Sequence, residues 1–410
     1  MHLAIVIPTR HRPDLAIAAI QSLLEARELD LTVIVSDNST REEDVRKLAA
    51  FCSETTDARL LRIRPTEPLA MPAHWNWALE QALSRTGATH IAVHYDRKVT
   101  RPDGLAAFVA ACMRNPDAIT TYACDFTVRT DGESLAWMYP GTGKLYQIRT
   151  SRVVELSSQG VIHDMGQPIP LLSNCAVPRT ILERVRERFG NICDSATPDI
   201  SFTYRYCALE ERYFHFDRAI SVLYAFETSN GLSYYRQETK NSFGDYMALW
   251  GDRPWLEAAP IPGLNLGINV GFHEYNLVQR IVGTELFPPI DHDGYLREIA
   301  RGLQYLKDPD VHASVRELLE KNGWREEIPP AGPGRLERLL TRIFRGVRSR
   351  LLRGSVTSEP LIDPGTLTFG DEPAAVGYLR TRPHAPRAEN VLLRILEAVE
   401  LGPPEGEAAR

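Results

Sequence analysis

The first 125 residues alternate short, almost wholly apolar runs with stretches whose apolar side chains recur every three or four positions. Leu3-Ala4-Ile5-Val6-Ile7 is unbroken and stops at Pro8-Thr9-Arg10, the signature of a short buried strand rather than a helix. Pro13 to Ala26 has helical spacing and opens on proline, which is well suited to a first helical turn. A second apolar run, Leu31 to Ser36, ends in Asp37-Asn38-Ser39-Thr40. The alternation continues with a helix from Arg41 to Ser53, a strand from Arg59 to Arg64 and a helix from Pro72 to Ser84. A strand from Thr89 to His94 then enters Tyr95-Asp96, a helix starts at Pro102, and a strand runs from Ala118 to Ala123. This order predicts a doubly wound α/β sheet. Parallel strands bring their C-terminal ends to one edge, where such sheets bind ligands. Thr9, Arg10, Asp37 and Asn38 are therefore expected along one crevice.

Residues 126 to about 230 are less regular. Short strands are expected near Val128, Trp137 to Tyr139 and Leu145 to Ile148, a helix from Pro178 to Phe189, another opening at Thr197-Pro198-Asp199, and a strand from Tyr213 to Tyr224. From 235 to 330 the pattern is mainly helical. Pro329-Pro330-Ala331-Gly332-Pro333-Gly334 reads as a linker, Arg335 to Arg353 as a basic amphipathic helix, and the remainder as a tail with one helix near Asn390 to Glu400. The expected division is 1–235, split into halves 1–125 and 126–235, then a helical extension 236–330, then 331–410.

The 410 residues are 43% apolar and 24% charged, ordinary for a globular chain with room for two domains. A net charge of −6 argues against general nucleic-acid binding. The six cysteines form no Cys-x-x-Cys pair, which predicts reduced thiols without a zinc knuckle. No apolar run approaches the roughly 20 residues of a membrane span. The chain enters its first strand without a charged and then apolar leader, so the expected location is cytoplasmic.

The Leu3–Arg10 strand and turn, the Asp37 segment, and Leu69-Ala70-Met71-Pro72-Ala73-His74-Trp75-Asn76-Trp77-Ala78-Leu79 together resemble the family 2 glycosyltransferases over roughly the first half of the chain. That resemblance implies a GT-A (nucleotide-diphosphosugar transferase) mixed sheet, here with a helical C-terminal extension. It implies inverting transfer of a sugar from a nucleotide-diphosphosugar, a UDP-sugar by default, to an acceptor hydroxyl, in cell-surface polysaccharide or glycoconjugate synthesis. The first half is then the nucleotide-binding half and 126–235 the acceptor and catalytic half. Asp37 would accept a base N–H, with Pro8, Thr9, Arg10, Asn38, Met71, His74 and Tyr95 around the nucleotide. The residues alone also allow Asp37 an Asx-turn or helix-cap role. Trp75 and Leu79 likewise fit core packing at i, i+4. Of the neighbouring cations Arg10, His11 and Arg12, Arg10 is the expected phosphate or ribose contact.

In the family the fourth strand runs into Asp-x-Asp; here the matching positions are His94-Tyr95-Asp96. Strand periodicity puts 94 and 96 on one face, so both are expected to hold a divalent metal, Mn²⁺ in preference to Mg²⁺ because imidazole suits the softer ion. His273 is a further candidate ligand from late in the chain. Arg97 and Lys98 would contact the diphosphate, beside the metal or in its place. Asp199, in the first turn of a helix, is the expected base, and Ser173 and Asn174 would touch the transferred sugar. The alternative for Asp199 is simple pairing with the helix dipole. The Arg335–Arg353 helix would either pack on its own domain or lie on the inner face of a membrane, which suits a glycan or lipid-linked acceptor. Two rival functions stand beside transfer. A nucleotidyltransferase would show a Gly-rich loop after the first strand, and Pro8 to Pro13 is not one. A transferase-fold binding protein without catalysis is supported by the altered metal motif.

Overall fold

A computed structural model describes residues 1–130, 133–161, 167–225, 228–229, 242–252, 255–262, 264, 266–303, 309–325, 366–382, 384 and 390–402. The chain forms two compact units: Met1–Thr150 with Gln167–Phe226 and Pro364–Arg410, and Ser151–Gly166 with Glu227–Asp363. This differs from the division expected along the sequence. Residues 151–166 leave the first unit, and 364–410 return to it. Most of the expected loop Thr228–Ser233 and the whole basic helix Arg335–Arg353 lie outside the described residues.

The first unit is built on a mixed sheet. Its N-terminal half comprises β1 (Leu3–Thr9), α1 (Pro13–Leu24), β2 (Leu31–Asp37), α2 (Glu42–Glu54), β3 (Leu60–Ile63), α3 (Met71–Arg85) and β4 (His90–Val93). Then come β5 (Lys98–Thr100), α4 (Gly104–Met113), β6 (Thr120–Thr130), β7 (Glu133–Trp137), β8 (Leu145–Arg149) and α5 (Thr150–Ser158), the last crossing into the second unit. The unit resumes with β9 (Cys175–Pro178), α6 (Arg179–Phe189), α7 (Pro198–Cys207) and β10 (Arg212–Leu223). The strands lie in the order β8-β10-β6-β9-β4-β1-β2-β3. The order β3-β2-β1-β4 is parallel throughout, and β9 runs antiparallel between β4 and β6. This is the expected doubly wound mixed sheet, with a GT-A-like order. The chain winds outward from β1 through β3 and returns to place β4 on β1's other side, so the switch point lies between the ends of β1 and β4.

Burial explains why these segments fold as they do. All seven residues of β1 are buried, as a central strand covered on both faces requires. Leu3, Ile5 and Ile7 join the core with Ala16, Ala19, Ile20 and Leu23 of α1, a stripe at helical spacing. Strand alternation sends Ala4 and Val6 to the other face, where α3 packs with Trp75, Ala78, Leu79 and Ala82 buried. At Gly104 a side chain would meet the Ile220 carbonyl oxygen at 2.6 Å, so only glycine lets α4 start this close to β10.

The second unit is helical among the described residues: α8 (Ser242–Trp250), α9 (Gly267–Val282), α10 (His292–Leu303) and α11 (Pro309–Lys321). Phe272, Tyr295, Leu296, Ile299, Leu303 and Leu319 form its core. The segment expected to be a tail instead supplies β11 (Thr366–Phe369), α12 (Glu372–Thr381), α13 (Val391–Ile395) and β12 (Val399–Glu400) to the first unit. There β11 pairs with β7 and β12 with β8.

Candidate active site at the switch point

The loop after β1 is tied to the loop after β2. The Asn38 amide donates to the Thr9 carbonyl at 2.9 Å, Arg10 donates to the Asn38 carbonyl at 2.8 Å, and the His11 amide donates to Ser39 Oγ at 2.9 Å. His11 has φ 57°, a left-handed turn that swings its ring outward to Asp44 and Thr40. The next residue, Arg12, then points back: its Nε lies 2.9 Å from Asp96 Oδ2. Thr9 donates to that same oxygen at 2.8 Å. Of the three cations weighed from sequence, Arg12 meets the Asp96 carboxylate, whereas Arg10 holds the loop backbone.

Asp37 closes the other end of the crevice and is fully buried. Its Oδ1 accepts the Ser39 amide at 3.0 Å, the Asx-turn geometry. Its Oδ2 accepts from Arg62 at 2.8 Å and faces Arg64 at 3.5 Å. A carboxylate offers about four acceptor sites, so capacity for one further donor remains. Arg62 and Arg64 were not singled out from sequence. Their i, i+2 spacing at the end of β3, beside β2, was the available signal. Asn38 is clamped to Leu69 through both its amide nitrogen and oxygen. Pro8 is buried in β1 opposite Ser36, and Met71 opens α3, half-buried. His74 departs from expectation: it is 3% exposed and its Nε2 shares a 2.8 Å hydrogen bond with Ser36. Burial lowers its pKa to about 3, so it is a neutral core residue beneath the crevice.

The Tyr95–Lys98 turn forms the catalytic end. Strand β4 stops at Val93, and the Lys98 amide closes a turn onto the Tyr95 carbonyl at 3.2 Å. The strand alternation that would have aligned 94 with 96 therefore does not reach them. His94 Nδ1 lies 3.0 Å from the Tyr95 carbonyl and Nε2 3.4 Å from Thr100 Oγ1. Its ring lines a small apolar pocket with Leu3, Ile5, Leu23 and Phe108. Burial, with Lys98 adding to it, keeps His94 well below the usual histidine range. Asp96 instead faces Thr9 and Arg12. Among the described residues no three His, Cys, Asp or Glu side chains gather as a metal site. The donor set thus reduces to Asp96 beside a guanidinium, which does not fit a divalent ion. His273 lies in the second unit, where it accepts the Ala258 amide at 3.1 Å and burial lowers its pKa to about 4.

Tyr95 joins the turn to α7. Its hydroxyl donates to Asp199 Oδ2 at 2.8 Å. The Arg97 guanidinium carbon and Lys98 Nζ lie 5.2 and 5.1 Å from its ring centre, within cation–π range. Trp75 packs against the same ring at 5.9 Å. Asp199 sits in the first turn of α7, after Thr197 at the N-cap and Pro198, and its Oδ1 accepts the Ile200 amide at 3.0 Å. Burial raises the Asp199 pKa, while the Tyr95 hydrogen bond, the Ile200 amide and Arg97 oppose that rise. Burial lowers Arg97, with Arg12 adding to the effect and Asp96 and Asp199 opposing it. Lys98 is 2% exposed and donates to the Ser173 carbonyl at 2.7 Å. Asn174 Nδ2 donates to the Gln167 and Ile169 carbonyls. Lys98, Ser173 and Asn174 therefore form a buried floor under Tyr95.

The class defined by this geometry is a doubly wound α/β protein. Its crevice holds a carboxylate pair, Asp96 and Asp199, around a cationic turn at the switch point. No family model matches the chain, and no curated protein matches it. Solved structures similar to it include S. aureus TarS 1–349 in complex with UDP-GlcNAc, at 12% identity over 91% of this chain and 97% of that one, with a TM-score of 0.41. TarS 1–349 in complex with UDP matches at 13% identity over the same shares, with a TM-score of 0.40. S. aureus TarS matches at 12% identity over 91% of this chain and 59% of that one, with a TM-score of 0.39. Likeness at that level assigns no chemistry to this chain. Among the described residues no helix is long and apolar enough to cross a membrane.

Proposed function

We propose that the protein is an inverting glycosyltransferase whose donor is a nucleoside-diphosphate sugar, with UDP as the default nucleotide. The observation that carries this reading is the Tyr95–Asp199 hydrogen bond of 2.8 Å at the N-terminus of α7, directly beside the Arg97 turn. A base at neutral pH needs a carboxylate that is ionised yet more basic than one in water. Burial makes Asp199 more basic. The Tyr95 hydroxyl, the Ile200 amide and the helix dipole keep it ionised.

In this reading Asp199 takes the proton of the acceptor hydroxyl. The acceptor oxygen forms a bond to the anomeric carbon, the bond from that carbon to the β-phosphate oxygen breaks, and its electron pair leaves with the nucleoside diphosphate. Arg12 and Arg97 stabilise the departing charge, as arginines do at transferring phosphates. Asp96 and Thr9 hold Arg12 in place. Asp37, with Arg62 and Arg64 behind it, faces the base. The acceptor is a glycan or lipid-linked sugar, with synthesis of cell-surface polysaccharide or glycoconjugate as its setting.

The test is release of UDP from UDP-sugars by Asp199→Ala beside titration of UDP itself. Turnover should fall by about a hundredfold or more, the usual scale for a general base, while UDP affinity stays within about twofold. Unchanged turnover in the variant contradicts the assignment.

A further inference from the structure

The C-terminal helix α12 reaches the back of the Tyr95–Lys98 turn by two routes. At its first residue, Glu372 Oε1 accepts the Thr127 hydroxyl at 2.7 Å and the Ala225 amide at 3.1 Å. Ala225 is buried and has φ 53°, a left-handed conformation that costs a non-glycine residue about 1–2 kcal/mol and needs support from its surroundings. The residue before it, Tyr224, donates its amide to the Arg97 carbonyl at 3.1 Å. The Tyr224 phenol stands in the field of both Asp96 and Glu372, which add to the effect of burial in pushing it up to about 12.

The second route runs through β5, the strand that follows the turn. Arg380 donates to the Thr100 carbonyl at 2.9 Å and pairs with Glu25. Arg101, 2% exposed, donates to the Leu379 carbonyl at 2.7 Å and to the Arg382 carbonyl. A cation at a helix C-terminus satisfies carbonyls that have no partner within the helix. Arg382 returns to Asp125, which also faces Arg101.

We propose that α12 is a strap that sets the geometry of the Tyr95–Lys98 turn, with Glu372 and Arg380 as its positioning residues. Glu372 acts through Ala225 and Tyr224 on the Arg97 carbonyl. Arg380 acts through Thr100 on β5. The strap thus carries a residue more than 270 positions distant in sequence to the turn that holds Arg97 (97 to 372 is 275 positions). Its effect on nucleotide binding rests on the reading of the site given above; its effect on the turn does not.

Hydrogen exchange on the full chain tests this without any ligand. The reporter is the segment 94–101, whose Lys98 and Arg101 amides are bonded to the Tyr95 and Ile220 carbonyls. The control is β2, residues 31–37, across the sheet. In Glu372→Ala and Arg380→Ala the reporter should exchange about tenfold faster or more with the control unchanged, the pattern of local opening. Glu372→Gln, whose side-chain oxygen still accepts both bonds, should restore the wild-type rate. The UDP dissociation constant should rise about tenfold in the alanine variants only. Should Glu372→Ala fail to fold, Arg380→Ala with its exposed partner Glu25 carries the test. An unchanged reporter in both alanine variants overturns the strap. A faster reporter in a protein that binds UDP in neither form supports the strap and overturns the nucleotide reading instead.

Discussion

Replacing Tyr95 by phenylalanine removes a single O–H and leaves the ring against Trp75, Arg97 and Lys98. The lost contact is the 2.8 Å hydrogen bond to Asp199 Oδ2. That bond favours the carboxylate, because the phenol donates to it. Its loss must raise the Asp199 pKa further above the usual value than burial already does. A hydrogen bond to a charged group contributes about 1.5–3 kcal/mol. Asp199 is half-exposed, so water replaces part of the loss and the lower end applies. About 1.4 kcal/mol is one factor of ten. On the acid side of its pH profile, UDP release by Tyr95→Phe should therefore be about tenfold slower than wild type. The acid limb should move to higher pH, and the two profiles should converge on the alkaline side. A parallel drop at every pH, or an unmoved limb, would refute the proposition that Tyr95 acts through the ionisation of Asp199.

Asp199→Asn should lose turnover and gain stability at pH 7. A carboxyl whose folded pKa lies above its unfolded value stabilises the fold at low pH and loses that contribution as pH rises through the folded pKa. The neutral amide escapes that loss, and thermal melting at pH 7 and pH 4 should show the gain at pH 7 only. His74 has the opposite linkage. Its pKa falls from about 6.5 to about 3 on folding, so protons favour the unfolded chain as pH drops below about 6.5. His74→Gln, keeping a partner for Ser36, should lessen the loss of denaturant midpoint between pH 7 and 5; an identical loss would place the sensitivity elsewhere.

The half of the fold that carries the crevice was legible because its signals are local. The apolar run of β1, the helical stripe of α1 and the Asp37 turn each lie within about a dozen residues, and each is found in the structure. Asp199 in the first turn of α7 was legible for the same reason. The His94–Asp96 alignment was not, because periodicity holds only while a strand lasts, and β4 ends at Val93. Two residues later the chain has turned, which sends His94 to the apolar pocket and Asp96 to Arg12. The choice among Arg10, His11 and Arg12 depended on one left-handed residue, His11. The return of 364–410 to the sheet was hidden because β11 pairs with β7 and β12 with β8 across more than 200 residues. Strands of four and two residues leave almost no pattern of their own.

The central claim is that a nucleoside diphosphate binds at the switch point against arginines rather than against a metal. Calorimetric titration of the full chain with UDP and with GDP, each in Mn²⁺, in Mg²⁺ and in EDTA, tests it most directly. The account predicts binding of UDP in EDTA with an affinity close to that in Mn²⁺, lost on Arg12→Ala. Binding only when Mn²⁺ is present would contradict the arginine site, and no binding of either nucleotide in any condition would contradict the function itself.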